Sequence, residues 1–389
     1  MRHFILKTLL YLSPVLLLIG VLEYIMYLNR ETVQINAVIE GQVNCKHELY
    51  YFKDFFDNSP YSYKVKMAER KNARILVIGQ STVLQFGKEM FAPFQDSFYN
   101  IGFSIHNVYG LQSILGMIEK KKIRRPDLMI IGIDADLIKK RLVENDYLDE
   151  QTLNFDPAEH LAYHFAGMQT LLKQMVFNHS LAFIPHSNLG YGQSGMRGEG
   201  FRRDGSLHYA GIISNYLENP IYVDRGGYKA MLKNKDYIFT APYELDSMKM
   251  QVLSECLKKL KAIGVQVVLF FPPISNDFYS FFSSDAKFNN FFNTYLALQD
   301  TFEAKHFNVI RFTTPKRFGL TDNYMLDGIH PGEVFVGKLW HDFIVSKPRR
   351  GIISRIDTAS LNRLINTGYQ IPLSFMRDTL VFKRKHKTH

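Results

Sequence analysis

The sequence predicts an α/β protein in which a parallel β-sheet is covered by helices on both faces, behind one N-terminal transmembrane helix. Three observations carry this. An apolar run opens the chain, and from Arg74 onward short runs of branched residues alternate with helix-length stretches. Those short runs are largely apolar, as strands buried between two helical layers must be.

Thr8 to Leu28 (TLLYLSPVLLLIGVLEYIMYL) is 21 residues with a single charge, Glu23, and as a helix it spans roughly 30 Å, enough for one bilayer crossing. Arg2 and Lys7 precede it, so the positive-inside bias puts the short N-terminus in the cytoplasm and the rest outside. A cleaved signal peptide has a shorter apolar stretch ending in a small-x-small site; here bulky Tyr24, Ile25, Met26 and Tyr27 continue the run, which favours an uncleaved anchor over residues 1–29. Residues 30–72 read as a lead-in packed on the main domain, with FDNSPYSY as a loop signal.

The main domain is expected over 73–345. ILVIG (75–79) is a buried-strand pattern and Ser81 to Phe91 a helix; after the loop YNIGFS come an amphipathic helix from Leu111 to Lys121 and a second buried strand, LMIIGI, in RPDLMIIGID. Residues 145–240 break the rhythm, with Gly at 190, 192, 195, 198, 200, 205 and 211 and no sustained period, and read as an insertion of long loops. The alternation resumes with a helix from Tyr243 to Ile263, the strand VQVVLFF (265–271), a helix from Asp285 to Lys305, the strand NVIRF (308–312) and a helix from Glu333 to Ile344.

At 389 residues, 46% of them hydrophobic and 14% aromatic, the chain can bury a large core without metal or disulfide staples. Cys45 and Cys256 lie far apart; an exported compartment permits a disulfide, but spacing does not decide it. The net charge of +10 is concentrated after position 346, where ten Lys/Arg face two Asp. Residues 346–389 thus form a basic tail, suited to lipid phosphates or an anionic surface polymer, or simply a solvated tail. Nucleic acid is a poor partner for an exported domain.

In a doubly wound sheet ligands bind beyond the carboxyl ends of the strands, where Gly79-Gln80-Ser81 falls. A serine there is either a nucleophile or the hydroxyl that caps the next helix. In YMLDGIHPGEVFVGKLW, Asp327 and His330 stand three apart in a Gly/Pro-marked loop: His330 is a candidate base for Ser81, and Asp327 a candidate to orient it. Gly79-x-Ser81 after the first strand, a glycine after the next loop, and Asp327-x-x-His330-Pro331 near the end together resemble the SGNH (GDSL-like) hydrolase superfamily, over roughly 70–135 and 240–345.

The resemblance implies a flavodoxin-like three-layer fold, a Ser81/His330/Asp327 triad and no cofactor. It also implies oxyanion donors at the Ser81 and Gly102 amides and at an asparagine of the third block, after the strand LMIIGI. That asparagine is missing, because Asp134-Ala135-Asp136 follows LMIIGI, and an ionised carboxylate cannot donate to an oxyanion. With its anchor and insertion the chain is similar to accessory acyltransferases of bacterial surface polymers, those of alginate acetylation and teichoic-acid alanylation. The expected partners are then a surface polysaccharide and a multi-pass membrane O-acyltransferase. An extracytoplasmic esterase, or a catalytically weak glycan-binding scaffold, is the alternative.

Two further clusters compete for a role. Arg202, Arg203 and Asp204 in FRRDGSLHY are candidates to bind a polar acceptor, since Arg forks suit carboxylate or phosphate, or else they decorate a turn. Glu159, His160 and His164 lack the H-E-x-x-H order, so no metal site is expected.

Overall fold

The computed structural model describes all residues except 55–60, 142–156, 179–188, 223, 225, 348–349, 367–370 and 376–389. The chain divides into two units, Met1–Tyr63 with Gln151–Arg203 and Leu207–Ala210, and Lys64–Glu150 with Asp204–Ser206 and Gly211–His389.

The first unit holds the helix Arg2–Leu28, whose stretch Leu10–Leu28 is long and apolar enough to cross a membrane, the one such helix among the described residues. Leu22 and Met26 at its far end are buried against Met168 and Leu171 of a second long helix, Pro157–Asn178. Beside these is a sheet of two-residue strands in the order Gly190–Tyr191, Tyr50–Tyr51, Gly200–Phe201, Leu207–His208. The buried Glu31 carboxylate ties this unit together, accepting from the Gln193 amide at 2.7 Å and the Asp54 amide at 3.2 Å. Lead-in and insertion therefore pair with each other, and the insertion carries a 22-residue helix rather than loops alone. Strands two residues long have no period to read.

In the second unit five strands form a wholly parallel sheet: β1 (Ile75–Ile78), β2 (Phe98–Asn100), β3 (Leu128–Gly132), β4 (Gln266–Phe270) and β5 (Asn308–Ile310). Their order, β2-β1-β3-β4-β5, is that of flavodoxin-like doubly wound sheets, whose switch point lies at the carboxyl ends of β1 and β3. Alternate residues Ile75, Val77, Leu128, Ile130, Val268 and Phe270 face a core completed by Phe335, Trp340 and Ile344 of the helix Glu333–Ser346. Leu76, Ile78, Met129, Ile131 and Leu269, of opposite parity, are equally buried. Each such side chain contributes about 1.5–3 kcal/mol by leaving water, so the sheet needs both helical layers.

Two expectations fail locally. Ser81 to Phe91 forms only two short 3₁₀ turns, Ser81–Val83 and Lys88–Phe91. The buried Asn100 amide holds this stretch, donating to the carbonyls of Val83 and Phe86 at 2.8 and 3.0 Å, and Val83 O also accepts from the Phe86 amide in a turn of i→i+3 spacing rather than a helix. The core also does not stop at 345, because Ile352, Ile353 and Ile356 and the helix Thr358–Asn366, through Leu361 and Ile365, are part of it. Glu333 accepts from Ser374 Oγ and the Phe375 amide, both at 2.8 Å, so structure extends to Phe375.

Candidate active site

The carboxyl ends of β1 and β3 close on each other through two glycines. A Cβ on Gly79 would stand 2.8 Å from Val83 Cγ1 and 3.2 Å from Gly132 Cα, and one on Gly132 would stand 2.4 Å from Val83 Cγ1. Neither glycine has a positive φ, so close approach, not backbone freedom, requires them. Val83 plugs this point, and the 3₁₀ turn that carries it begins with Ser81. No helix follows for Ser81 to cap. Its Oγ lies 2.7 Å from His330 Nε2 instead.

His330 is held by its own loop. Asp327 Oδ1 accepts from the Ile329 and His330 amides at 2.9 Å each, the Leu326 amide donates to His330 O at 2.8 Å, and the Ser275 amide donates to Gly328 O at 2.9 Å. The His330 Nδ1 edge meets Asp327 Oδ2 at 2.8 Å and Oδ1 at 3.0 Å. A proton on Nδ1 is thereby fixed, leaving Nε2 to accept from Ser81. Residues 249 apart in sequence become a Ser-His-Asp relay.

Burial works against the charge on both partners, and their attraction outweighs it. Asp327 is pushed up by burial but held below the usual carboxylate range by the charge and hydrogen bond of His330 and by the two amides. Burial pushes His330 down, yet the Asp327 charge and hydrogen bond, with the charge of Asp134, raise it above its ordinary value.

Asp134, just after β3, lies beside the relay. Thr82 Oγ1 donates to its Oδ1 at 2.8 Å, while its Oδ2 is buried with no hydrogen-bond partner. Burial pushes its pKa up to about 6, with Asp136 adding to the rise and Thr82, His330 and the Gln80 amide opposing it. Ser81, Thr82, Asp134 and Asp136 line a cavity of about 120 Å³ whose wall is otherwise largely aromatic.

The other predicted site residues are placed elsewhere. The buried Gly102 amide is committed to Asn100 Oδ1 at 2.8 Å, and Gly102 is not part of the cavity wall. Arg203 donates from its guanidinium to the carbonyls of Cys45 and His47, and its amide to Glu48 at 2.6 Å, so it braces the 45–48 turn of the first unit. Arg202 is buried in that unit, its carbonyl accepting from Tyr63 at 3.5 Å. Asp204 accepts from Ser206 Oγ at 2.5 Å and from the Lys88 amide at 2.8 Å. These bonds brace the turns at 45–48 and 204–206.

Two important residues escaped sequence reasoning, and the surroundings of a third were hidden from it. Asn100 ties the Ser81 turn to the turn after β2. Lys64 donates from its buried ammonium to the carbonyls of Asn100 (3.0 Å) and Gly205, with burial lowering its pKa well below the ordinary value against the pull of Asp204. Asp134 was singled out as a mismatch, but its unpartnered oxygen was invisible in the sequence. An Asn in YNIGFS beside a strand end was the one available signal for the first.

His164 Nε2 meets Glu23 at 2.5 Å, while the Glu159 and His160 side chains lie outside the described residues. No group of three or more His, Cys, Asp or Glu among the described residues is arranged to hold a metal. Cys45 and Cys256 are both free thiols, and burial pushes Cys256 up to about 11. Compared with known proteins, the chain matches no protein-family model and no curated sequence.

Proposed function

We propose that this chain is a membrane-anchored serine acyl-ester enzyme of SGNH-like type, acting as an O-acyltransferase on a cell-surface polysaccharide. The observation that carries the reading is the Ser81 Oγ to His330 Nε2 contact at 2.7 Å, continued from Nδ1 to Asp327 at 2.8 Å. Ser81 and Asp134 at the switch point of a flavodoxin-order sheet support it further.

In the reaction, Ser81 Oγ attacks the carbonyl carbon of an acyl donor as His330 Nε2 takes its proton. The negative charge moves to the carbonyl oxygen, facing the Ser81 amide. Collapse expels the donor's alcohol, which receives the proton from His330, and leaves an ester on Ser81. An acceptor hydroxyl then gives its proton to His330 and attacks that ester, and Ser81 regains the proton as the acyl group leaves. If water replaces the acceptor, the same steps are ester hydrolysis. The helix Leu10–Leu28 is the anchor in this reading, with the folded units outside the membrane, beside a multi-pass O-acyltransferase.

A second reading has its own support. With the Gly102 amide spent on Asn100 and a carboxyl at 134, the oxyanion site is short of donors, and loss of one donor can cost 100- to 1,000-fold in rate. This favours a catalytically weak scaffold that binds glycan. A fluorophosphonate probe on the full chain in lipid nanodiscs decides between them. The enzyme reading expects labelling that Ser81→Ala abolishes and His330→Ala slows at least 100-fold; labelling that persists in Ser81→Ala overturns it.

A further inference from the structure

From the cavity beside Ser81 we infer that the acyl group carried by this enzyme is an apolar chain of about four to eight carbons, not acetyl. The inference rests on the acyl-enzyme reading above and adds the class of donor.

The cavity wall is of two chemical kinds. Gln80, Ser81, Thr82, Asp134 and Asp136 supply polar atoms. Most of the remaining wall is apolar: Phe239, Phe278, Phe282, Phe288 and Phe292, with Ile238 and Ile274. The rings brace one another: Phe282 and Phe292 centroids are 4.7 Å apart, Phe239 and Phe288 5.3 Å, Phe239 and Phe278 5.7 Å. Two helices position them. Phe288, Phe292 and Tyr295 stand on one face of Ala286–Ala304 at i, i+4 and i+7, and Phe278 and Phe282 at i and i+4 of Asn276–Phe282.

Where the wall is aromatic it offers little to a polar guest: the Tyr295 hydroxyl is spent on the Ile133 carbonyl at 2.5 Å, and the phenylalanine rings have no donor or acceptor. Sugar hydroxyls packed there would lose their hydration without replacement. Size argues against acetyl. A single water needs roughly 10–15 Å³ of such space, so about 120 Å³ leaves most of the cavity unfilled behind a methyl group.

The test is the burst of nitrophenolate released as Ser81 is acylated by p-nitrophenyl esters from acetate to octanoate, on the full chain in lipid nanodiscs. The second-order rate should rise about fourfold per added methylene, the value of burying one CH₂, to an optimum between four and eight carbons. The butanoyl ester should exceed the acetyl ester at least tenfold. Phe292→Ala should move the optimum to longer chains, and Ile238→Trp, at a half-buried position, to shorter ones. A burst that needs Ser81 but is fastest with acetate, or indifferent to chain length, overturns this inference and leaves the serine-enzyme reading standing. A burst absent from the wild-type chain, or unchanged in Ser81→Ala, overturns both.

Discussion

Asp134 and His330 make opposing demands on pH. His330 accepts the Ser81 proton only when neutral, above a pKa raised past its ordinary 6.5, so acylation should fall on the acid side with a midpoint above pH 6.5. In that range Asp134, with a pKa of about 6, is a carboxylate and repels a developing oxyanion. Asp134→Asn should therefore do two things. It removes a negative charge that holds the His330 proton, moving the acid limb to lower pH, and it puts an amide donor where Oδ2 now lacks a partner, raising the acylation rate at pH 8 by roughly 10- to 100-fold. A pH–rate profile reads both; an unchanged rate at pH 8 would mean that the oxyanion does not meet position 134. Stability follows the same group. A carboxyl whose folded pKa is raised from 3.8 to about 6 binds more protons folded than unfolded between those values, so its contribution falls by up to about 3 kcal/mol as pH rises through the window. Thermal unfolding of Asp134→Asn relative to wild type should show that difference growing between pH 4 and 6 and constant above.

At the scale of elements, the site depends on two strand ends and the turns they release. Asn100 makes three buried hydrogen bonds that hold the Ser81 turn, so Asn100→Ala should cost roughly 2–4 kcal/mol in thermal or denaturant unfolding, since it takes a donor from two carbonyls and orphans an amide. Gly79→Ala adds a methyl 2.8 Å from Val83 and 3.2 Å from the Gly132 backbone; overpacking of this kind costs about 1–3 kcal/mol. Because Val83 shares a 3₁₀ turn with Ser81, probe labelling of Ser81 should fall more than stability does. Equal losses would show that the glycine pair only packs the sheet. Four of the five strands were legible because burial on both faces writes itself as a mostly apolar run. β2 (Phe98–Asn100), three residues long and overlapping the stretch read as a loop, was not. Nor was the turn after β1, since the asparagine side chain that holds it comes from that strand.

For the whole molecule, the N-terminal helix has two roles that its length alone does not separate. Leu10, Tyr11 and Leu17 are exposed apolar side chains that a bilayer would cover, whereas Leu22 and Met26 are buried on Met168 and Leu171. A chain starting at Val21 should therefore leave the membrane fraction and keep its fold. One starting at Arg30 should lose roughly 1.5–3 kcal/mol for each of the two buried contacts, read as a lower unfolding temperature of the first unit. If both truncations unfold alike, the helix end contributes nothing to that unit.

What the sequence by itself determined is what neighbouring residues dictate: the apolar membrane-length run, the alternation of buried strands and helices, and the Asp327-x-x-His330 loop, whose hydrogen bonds span only three residues. Tertiary structure alone decided the rest. Ser81 could be a cap or a partner for His330 until the sheet order brought residues 249 apart to 2.7 Å. That Arg203 donates to the carbonyls of Cys45 and His47, and that Asp204 accepts from the Lys88 amide, could not be read from their own neighbourhood. The stripe Phe288, Phe292 and Tyr295 reads as core in one dimension and lines the Ser81 cavity in three. The physical reason is common to all of these: a side chain's chemistry is written in its own residue, but the desolvation and partners that give it a role come from segments far along the chain.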